Sequence, residues 1–239
     1  MNNYYKILCS LLLSASLVGC GGGSTVADAD NDQVITLGDS IFDLSNEIQQ
    51  NLEAYAGQTF RKYTKSGAEL NGGLIQSVYS QYAEAKSDNA NIEIVVMDGA
   101  GNDILIPVLT LFDPYNCKVD WWEFGKLSSS CKNLINDLYV EAVTLLNRMD
   151  ADGVDNVIFL GYYHTKDMLV NNLSALKQAV DYGDSKLAQA CSYSTANCQF
   201  IDPRGVINNS DIKSDGIHPT TSGSRKLADL IWPKLQPLL

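Results

Sequence analysis

Ser40 follows a predicted strand, at a position where it could act as a nucleophile. The apolar residues 34–37 are followed by Gly38-Asp39-Ser40, and a helical pattern begins at Ile41. A strand, a glycine turn and a helix together place a side chain and several backbone N–H groups at the edge of a sheet. A serine held there can attack a carbonyl carbon if a base lies nearby. The same residues could instead only turn the chain and cap the helix.

A histidine and an aspartate near the C-terminus could supply the base. The sequence contains two histidines, His164 and His218. Asp215 precedes His218 by three residues, so its carboxylate could reach the imidazole N–H and fix the tautomer. The alternative interpretation of this segment is a surface Asp-Gly turn followed by a solvated histidine, which would have the same spacing. His164 could border a pocket, although a structural or surface role is favoured.

Five short strand patterns, four of them apolar and one alternating, are interspersed with helical patterns along the chain. Strands are predicted at residues 34–37, 59–64, 92–97, 157–160 and 199–202, and helices at 41–56, 70–85, 134–149, 167–190 and 220–239. The second strand is expected to be more exposed than the others, and the third is apolar enough to be covered on both faces. This order predicts one α/β domain with a parallel sheet, with the active site at the carboxyl ends of the strands.

Four motifs in this order resemble those of the SGNH, or GDSL-type, hydrolases. They are Gly38-Asp39-Ser40, Ser66-Gly67, Asn102-Asp103 and Asp215-Gly216-Ile217-His218-Pro219. The resemblance implies a flavodoxin-like, three-layer α/β/α sandwich with a five-stranded parallel sheet. It implies a catalytic triad of Ser40, Asp215 and His218. It also implies an oxyanion hole formed by the backbone N–H groups of Ser40 and Gly67 and the side chain of Asn102.

The chain departs from the family pattern at one position. The family usually has a glycine two residues before the asparagine, where this chain has Ala100. The added methyl group puts the detailed loop conformation in doubt, but not the role of Asn102. We interpret Asp39 as an organiser of its turn and expect Asp103 to cap the helix that follows it.

The N-terminus is predicted to be a targeting segment. An apolar run at residues 7–18 is too short to remain as a membrane span. It ends in Leu17-Val18-Gly19-Cys20, which resembles the lipobox of bacterial lipoproteins. The resemblance implies removal of residues 1–19, lipid on Cys20 and anchoring in the cell envelope as a periplasmic or outer-membrane lipoprotein. An ordinary secretory signal with an incidental cysteine is the alternative.

The rest of the chain divides into a tether and one domain. Residues 20–32 are rich in Gly, Ser, Ala and Asp and are predicted to form a flexible tether. Residues 33–239 are predicted to form a single SGNH hydrolase domain, which we expect to be a monomer.

Four cysteines remain in the predicted domain. They are Cys117, Cys131, Cys191 and Cys198. An even number in an exported chain favours two disulfides, and pairing between sequence neighbours is preferred among the three possibilities. The first pair would close a loop of about 15 residues, worth roughly 3 kcal/mol. A metal site is disfavoured because there is no close CxxC pair, and no cofactor is expected.

Composition and charge narrow the function. The net charge of −11 without a basic cluster argues against nucleic acid as a partner. The leading prediction is a lipid-anchored carboxylic ester hydrolase acting on a small-molecule, lipid or glycan ester. A carbohydrate O-acetylesterase, an acyltransferase and a non-catalytic glycan- or partner-binding lipoprotein are the alternatives. Residues 104–131, with Trp121 and Trp122, form either a substrate-binding rim or a satellite core.

Overall fold

The computed structural model describes residues 24–109, 113–119, 125–167 and 172–239. Within these ranges, five strands form one parallel sheet in the order β2-β1-β3-β4-β5. The strands are β1 (Asn31–Leu37), β2 (Phe60–Lys62), β3 (Ile94–Met97), β4 (Asn156–Leu160) and β5 (Cys198–Ile201). The α-helices are α1 (Ser40–Asp43), α2 (Glu47–Ala56), α3 (Val78–Asp88), α4 (Gly101–Leu109), α5 (Ser129–Ala151), α6 (Lys177–Tyr193) and α7 (Thr221–Leu235). The predicted α/β fold with a five-stranded parallel sheet is confirmed.

Helices cover both faces of the sheet, which explains the apolar strands. In β3, Val95 and Met97 face a core built with α3, α5 and α6. Ile94 and Val96 face a second core built with α1, α2 and α7. Because successive side chains of a strand point to opposite faces, each strand contributes to both cores. This burial fixes the register of the strands. Because all strand pairs are parallel, the carboxyl ends of the strands lie at one edge of the sheet.

Strand β2 is buried, and the prediction that it would be the exposed strand was wrong. Arg61 is 0% exposed and Lys62 is 2% exposed. The Arg61 guanidinium donates to the carbonyl oxygens of Asp32 and, at the end of α3, Ala85. The Lys62 ammonium lies 2.9 Å from the carboxylate of Asp43. These partners are distant in sequence, so the alternating pattern of the strand could not reveal them.

The segment predicted as a flexible tether pairs with the sheet in its C-terminal part. The N–H of Val26 donates to the carbonyl of Lys62 at 2.9 Å, and its carbonyl accepts from the Lys62 N–H at 2.8 Å. This antiparallel bridge lies on the outer edge of β2. Strand β1 also begins at Asn31, inside the predicted tether. Val26 and residues 31–32 are therefore paired with the sheet although they lie inside the predicted tether, because the free edge of β2 offers backbone groups to pair with.

Two predicted helices differ from those observed. The helix predicted at 41–56 is divided into α1 and α2 at Asn46, whose φ of 57° is left-handed. The helix predicted at 70–85 begins only at Val78. The preceding Gly72 and Gly73 have φ values of 97° and 77°, which end any regular helix. Leu74, which lies within the predicted helix, is fully exposed.

Both disulfides have the pairing predicted from sequence proximity. Cys117 is bonded to Cys131, in α5, and Cys191, in α6, is bonded to Cys198 at the start of β5. The first bond joins the segment after α4 to the first turn of α5. The second joins α6 directly to the next strand, so each bond fixes how a helix leaves or enters the sheet.

Some predicted features lie outside the described residues. They are the signal segment 1–19, the lipidation site Cys20, and the paired aromatic residues Trp121 and Trp122. None of the helices in the described part of the chain combines the length and apolar character that crossing a bilayer requires.

Candidate active site

Ser40 is the first residue of α1, immediately beyond the carboxyl end of β1. Gly38 has a φ of 140°, and a Cβ there would lie 2.0 Å from a carboxylate oxygen of Asp98. Only glycine fits this approach. The carboxylate of Asp39 then accepts from the N–H of Ile41 at 2.9 Å and caps α1. The turn therefore fixes Ser40 at the N-terminus of a helix, with its own N–H free of an intrahelical acceptor.

The structure brings Ser40, His218 and Asp215 into one hydrogen-bonded chain. The Oγ of Ser40 lies 2.9 Å from Nε2 of His218. The other ring nitrogen, Nδ1, lies 2.9 Å from Oδ2 of Asp215. If Nδ1 donates to the carboxylate, Nε2 is the acceptor for the serine hydroxyl. This arrangement can remove the hydroxyl proton as the oxygen attacks.

The loop before α7 keeps Asp215 ionised. Burial raises the pKa of Asp215, but hydrogen bonds from the His218 ring and from the backbone N–H groups of Ile217 and His218 outweigh it, and the pKa falls to about 2. The backbone donors bind Oδ1, which leaves Oδ2 for the imidazole. The carboxylate is thus available to stabilise an imidazolium at any pH above about 2.

The predicted oxyanion residues follow β2 and β3. Gly67 has a φ of 83°. Its neighbour Ser66 donates both its N–H and its hydroxyl to Oδ2 of Asp43, at 2.9 and 2.7 Å. Asp43 belongs to the helix that begins with Ser40, so this carboxylate ties the nucleophile's helix to the Gly67 loop. The pairing with Lys62 holds Asp43 in place. Sequence reasoning did not identify Asp43, because nothing local distinguishes it from a surface acid.

Asn102 lies at the start of α4 beside Ser40. Its Nδ2 donates to the carbonyl of Ala68 at 2.9 Å. A side-chain amide has two N–H donors, so the second remains for a substrate oxygen. Ala100 has a φ of 84°, a conformation that costs an alanine about 1–2 kcal/mol. The loop therefore keeps a glycine-like turn although a methyl group is present.

Asp103 lies in the first turn of α4, the helix that it was predicted to cap. Its carboxylate accepts from the N–H of Leu70 at 2.9 Å, so it ties α4 to the segment that follows the Gly67 loop. Burial raises the pKa of Asp103 to about 7. The side chain thus links the first turn of α4 to a second loop of the site.

A chain of hydrogen-bonded polar groups holds Asp39, the residue before Ser40, in place. The hydroxyl of Tyr162 donates to Oδ2 of Asp39 at 2.8 Å. The backbone N–H of Tyr162 donates to Oδ1 of Asp184, on α6, at 3.0 Å. On the other side, Oδ1 of Asp98 accepts from the N–H of Asp39 at 2.7 Å. Burial raises the pKa of both Asp39 and Asp98, and the nearby charge of Asp39 raises that of Asp98 further.

These contacts confirm Asp39 as the organiser of the turn. Asp98, Tyr162 and Asp184 were not predicted, because their partners lie 22 to 123 residues away in sequence. A buried acid that directly follows an apolar strand, as Asp98 does, was the one available signal.

Asp184 is expected to make the folded state less stable as the pH rises. Burial raises its pKa to about 7 from an ordinary value of 3.8. The folded chain therefore holds a proton that the unfolded chain has lost, and stability falls as the pH rises from about 4 to about 7, by at most about 1.4 kcal/mol per pH unit. In Asp184→Asn, urea unfolding should show a smaller loss of stability between pH 5 and pH 8.

Asp103 provides the comparison for this measurement, because its pKa is also raised to about 7. Asp103→Asn should remove a similar part of the pH dependence, and the double variant should be flatter than either single variant. An Asp184→Asn profile parallel to that of the wild type would show that Asp184 ionises normally in the folded state.

His164 lies outside the Ser40 cluster. Its Nε2 is 2.8 Å from a carboxylate oxygen of Asp181, which also accepts from Arg204. This is the structural role that the sequence favoured. Throughout the ranges that the structure describes, no group of three or more His, Cys, Asp or Glu side chains is arranged to hold a metal ion.

A cavity of about 90 Å³ opens beside Ser40. Asn102 and Ala100 lie on its wall, together with Ile104 and Leu105 of α4. The last two residues belong to the segment for which a substrate-binding rim was one of two interpretations. Their position on the cavity wall favours that interpretation for this part of the segment.

Several solved structures have the same fold. A carbohydrate esterase family 3 protein from Talaromyces cellulolyticus is 17% identical, with a TM-score of 0.60 over 86% of this chain and 96% of that chain. An acetylxylan esterase from Geobacillus stearothermophilus is 14% identical, with a TM-score of 0.55 over 84% and 93%. An extracellular lipase from Streptomyces rimosus is 16% identical, with a TM-score of 0.53 over 86% and 99%.

Sequence comparison adds nothing to these structural matches. No protein-family model and no curated protein matches the chain. Identities this low establish the fold alone. The chain therefore has the α/β/α fold of these two esterases and this lipase, which is the fold implied by its resemblance to the SGNH hydrolases.

Proposed function

We propose that the protein is a serine-dependent carboxylic ester hydrolase that forms an acyl-enzyme on Ser40. The observation that carries the proposal is the hydrogen-bonded chain from Ser40 through His218 to Asp215 at a cavity wall. A serine, a base and an ionised orienting group at these distances form a nucleophilic triad. The fold shared with known esterases and a lipase supports the same assignment.

Ester hydrolysis at this site would proceed in two steps. In the first, Oγ of Ser40 attacks the ester carbonyl carbon while Nε2 of His218 takes the hydroxyl proton. The negative oxygen is held by the N–H groups of Ser40 and Gly67 and by the amide of Asn102. His218 then protonates the departing alcohol. In the second step, water attacks the acyl-enzyme, His218 takes its proton and returns it to Ser40, and the carboxylic acid leaves.

Covalent labelling with a fluorophosphonate probe tests the activated serine. The wild-type protein should be labelled, whereas Ser40→Ala should not, because among the described residues only Ser40 has its hydroxyl paired with a histidine. Ser87→Ala is a control that removes an exposed serine hydroxyl on α3, away from these contacts, and should keep the label. A wild-type protein that is not labelled would favour the non-catalytic envelope module instead.

A carbohydrate O-acetylesterase is the second candidate, and the structural matches favour it specifically. The Geobacillus stearothermophilus structure is an acetylxylan esterase, and the Talaromyces cellulolyticus structure is a carbohydrate esterase. A screen of acetylated xylo-oligosaccharides against simple acyl esters separates the two candidates. Faster release of acetate from the oligosaccharides would support the carbohydrate esterase.

We also propose that the protein is anchored in the bacterial cell envelope through lipid on Cys20. The motif Leu17-Val18-Gly19-Cys20 supports this proposal. Metabolic labelling with a radioactive fatty acid should mark the wild-type protein and leave Cys20→Ala unmarked. Equal labelling of the two proteins would contradict the anchor.

A further inference from the structure

The cavity beside Ser40 extends away from the nucleophile into the space between α5 and α6. Helix α5 contributes Ile135 and Leu138 to its wall. Helix α6 contributes Ala179, Gly183 and Leu187. These three positions on α6 are four residues apart, so they follow one another along one face of the helix for about 12 Å. The wall is thus a mostly apolar channel that begins at the reacting serine, although Thr165, Asp184 and Lys186 also line the cavity.

Gly183 opens this channel at a cost to its helix. A glycine inside a helix is about 1 kcal/mol less favourable than alanine. A Cβ added at Gly183 would meet no atom within 4 Å, so close packing does not require a glycine here. The missing side chain instead enlarges the channel beside Ala179.

The chemistry of the channel selects its occupant. A mostly apolar cavity offers the many hydroxyls of a sugar few partners, whereas hydrocarbon entering it leaves water and gains dispersion contacts. A volume of about 90 Å³ is well above the roughly 10–15 Å³ that one water-sized group needs, so several methylenes can enter. The carbonyl carbon must lie at Ser40, so the acyl chain can extend into the channel from that point.

We propose that the channel between α5 and α6 is the acyl-binding site, and that the substrates are esters of unbranched fatty acids longer than acetate. This inference rests on the proposed ester hydrolase. It assigns the acyl half of the substrate to the channel and leaves the alcohol half on the open side of the site. It also makes Gly183 the residue that sets the chain length.

Hydrolysis of p-nitrophenyl acetate, butyrate, hexanoate and octanoate tests the proposal. In the wild-type protein, kcat/KM should rise by up to about fourfold per added methylene, and by at least about tenfold from acetate to hexanoate. Gly183→Leu should lower the hexanoate-to-acetate ratio at least tenfold, and Gly183→Ala should lower it less. Ser185→Leu adds the same side chain to the exposed face of α6 and should leave the ratio unchanged.

Thermal unfolding with free carboxylates separates this inference from the proposed reaction. Sodium octanoate should raise the Tm of the wild-type protein, because a ligand that binds only the folded state stabilises it. Sodium acetate should not raise it, and Gly183→Leu should lose the effect of octanoate. A protein stabilised by octanoate but inactive on every ester would refute the hydrolase and keep the channel. Equal rates for acetate and hexanoate, or parallel profiles for wild type and Gly183→Leu, would overturn the channel.

Discussion

Ser40→Ala and His218→Ala are each expected to lower kcat for p-nitrophenyl butyrate by about 10⁴–10⁶-fold. Ser40 supplies the atom that attacks, and His218 supplies the only base within hydrogen-bond distance of it among the described residues. Loss of either group should leave only the weak catalysis of substrate binding and the oxyanion donors. The two losses should be far from additive, because the two side chains act as a unit.

The second histidine provides the control for this prediction. His164 is bound to Asp181 rather than to the serine, so His164→Ala should keep most of the activity. Circular dichroism and thermal melting should show that all three variants fold. A kcat within tenfold of the wild-type value in a folded Ser40→Ala or His218→Ala protein would contradict the assignment of the triad.

Asn102→Ala is expected to lower kcat by about 10²–10³-fold with a smaller effect on KM. The amide is held by the carbonyl of Ala68 at 2.9 Å, so the side chain is fixed before a substrate binds and one amide N–H is left to donate to it. No reorganisation is then needed in the transition state. The lost hydrogen bond to Ala68 should also lower the free energy of unfolding by about 1 kcal/mol.

Asn51→Ala serves as the matched control for Asn102→Ala. Asn51 also donates its side-chain amide to a backbone carbonyl, that of Glu47 in α2. Both variants therefore lose a comparable structural hydrogen bond, but only Asn102→Ala should lose turnover. If the two variants have the same kcat, Asn102 is a structural residue and the oxyanion donors are the backbone groups alone.

The motif-bearing part of the site could be predicted because each piece depends on local sequence. Ser40, Gly67 and Asn102 each follow a predicted strand, and in a parallel sheet all such positions meet at one edge. The pair Asp215 and His218 is joined by its own short loop. None of these predictions needed knowledge of which helix packs against which strand.

The supporting residues could not be predicted because their partners are set by tertiary packing. Asp43 binds the Ser66 loop, and Tyr162 binds Asp39, across 23 and 123 residues of sequence. The error over residues 70–85 has a different cause. Leu70, Leu74 and Val78 have helical spacing, but the intervening Gly72 and Gly73 carry positive φ values, so the glycine pair outweighed the apolar period.

The bridge between Val26 and Lys62 shortens the tether that would connect a lipid anchor on Cys20 to the domain. With residues 20–32 all free, a lipid on Cys20 would leave a long, loose connection to the domain. Val26 is fixed on the edge of β2. Six residue-to-residue steps separate Cys20 from Val26, and they span at most about 21 Å at full extension. The carboxyl end of β2 leads directly into the Gly67 loop. An anchored enzyme would therefore search a shallow layer of roughly that depth above the bilayer, where the esters of lipids and of other anchored molecules are presented.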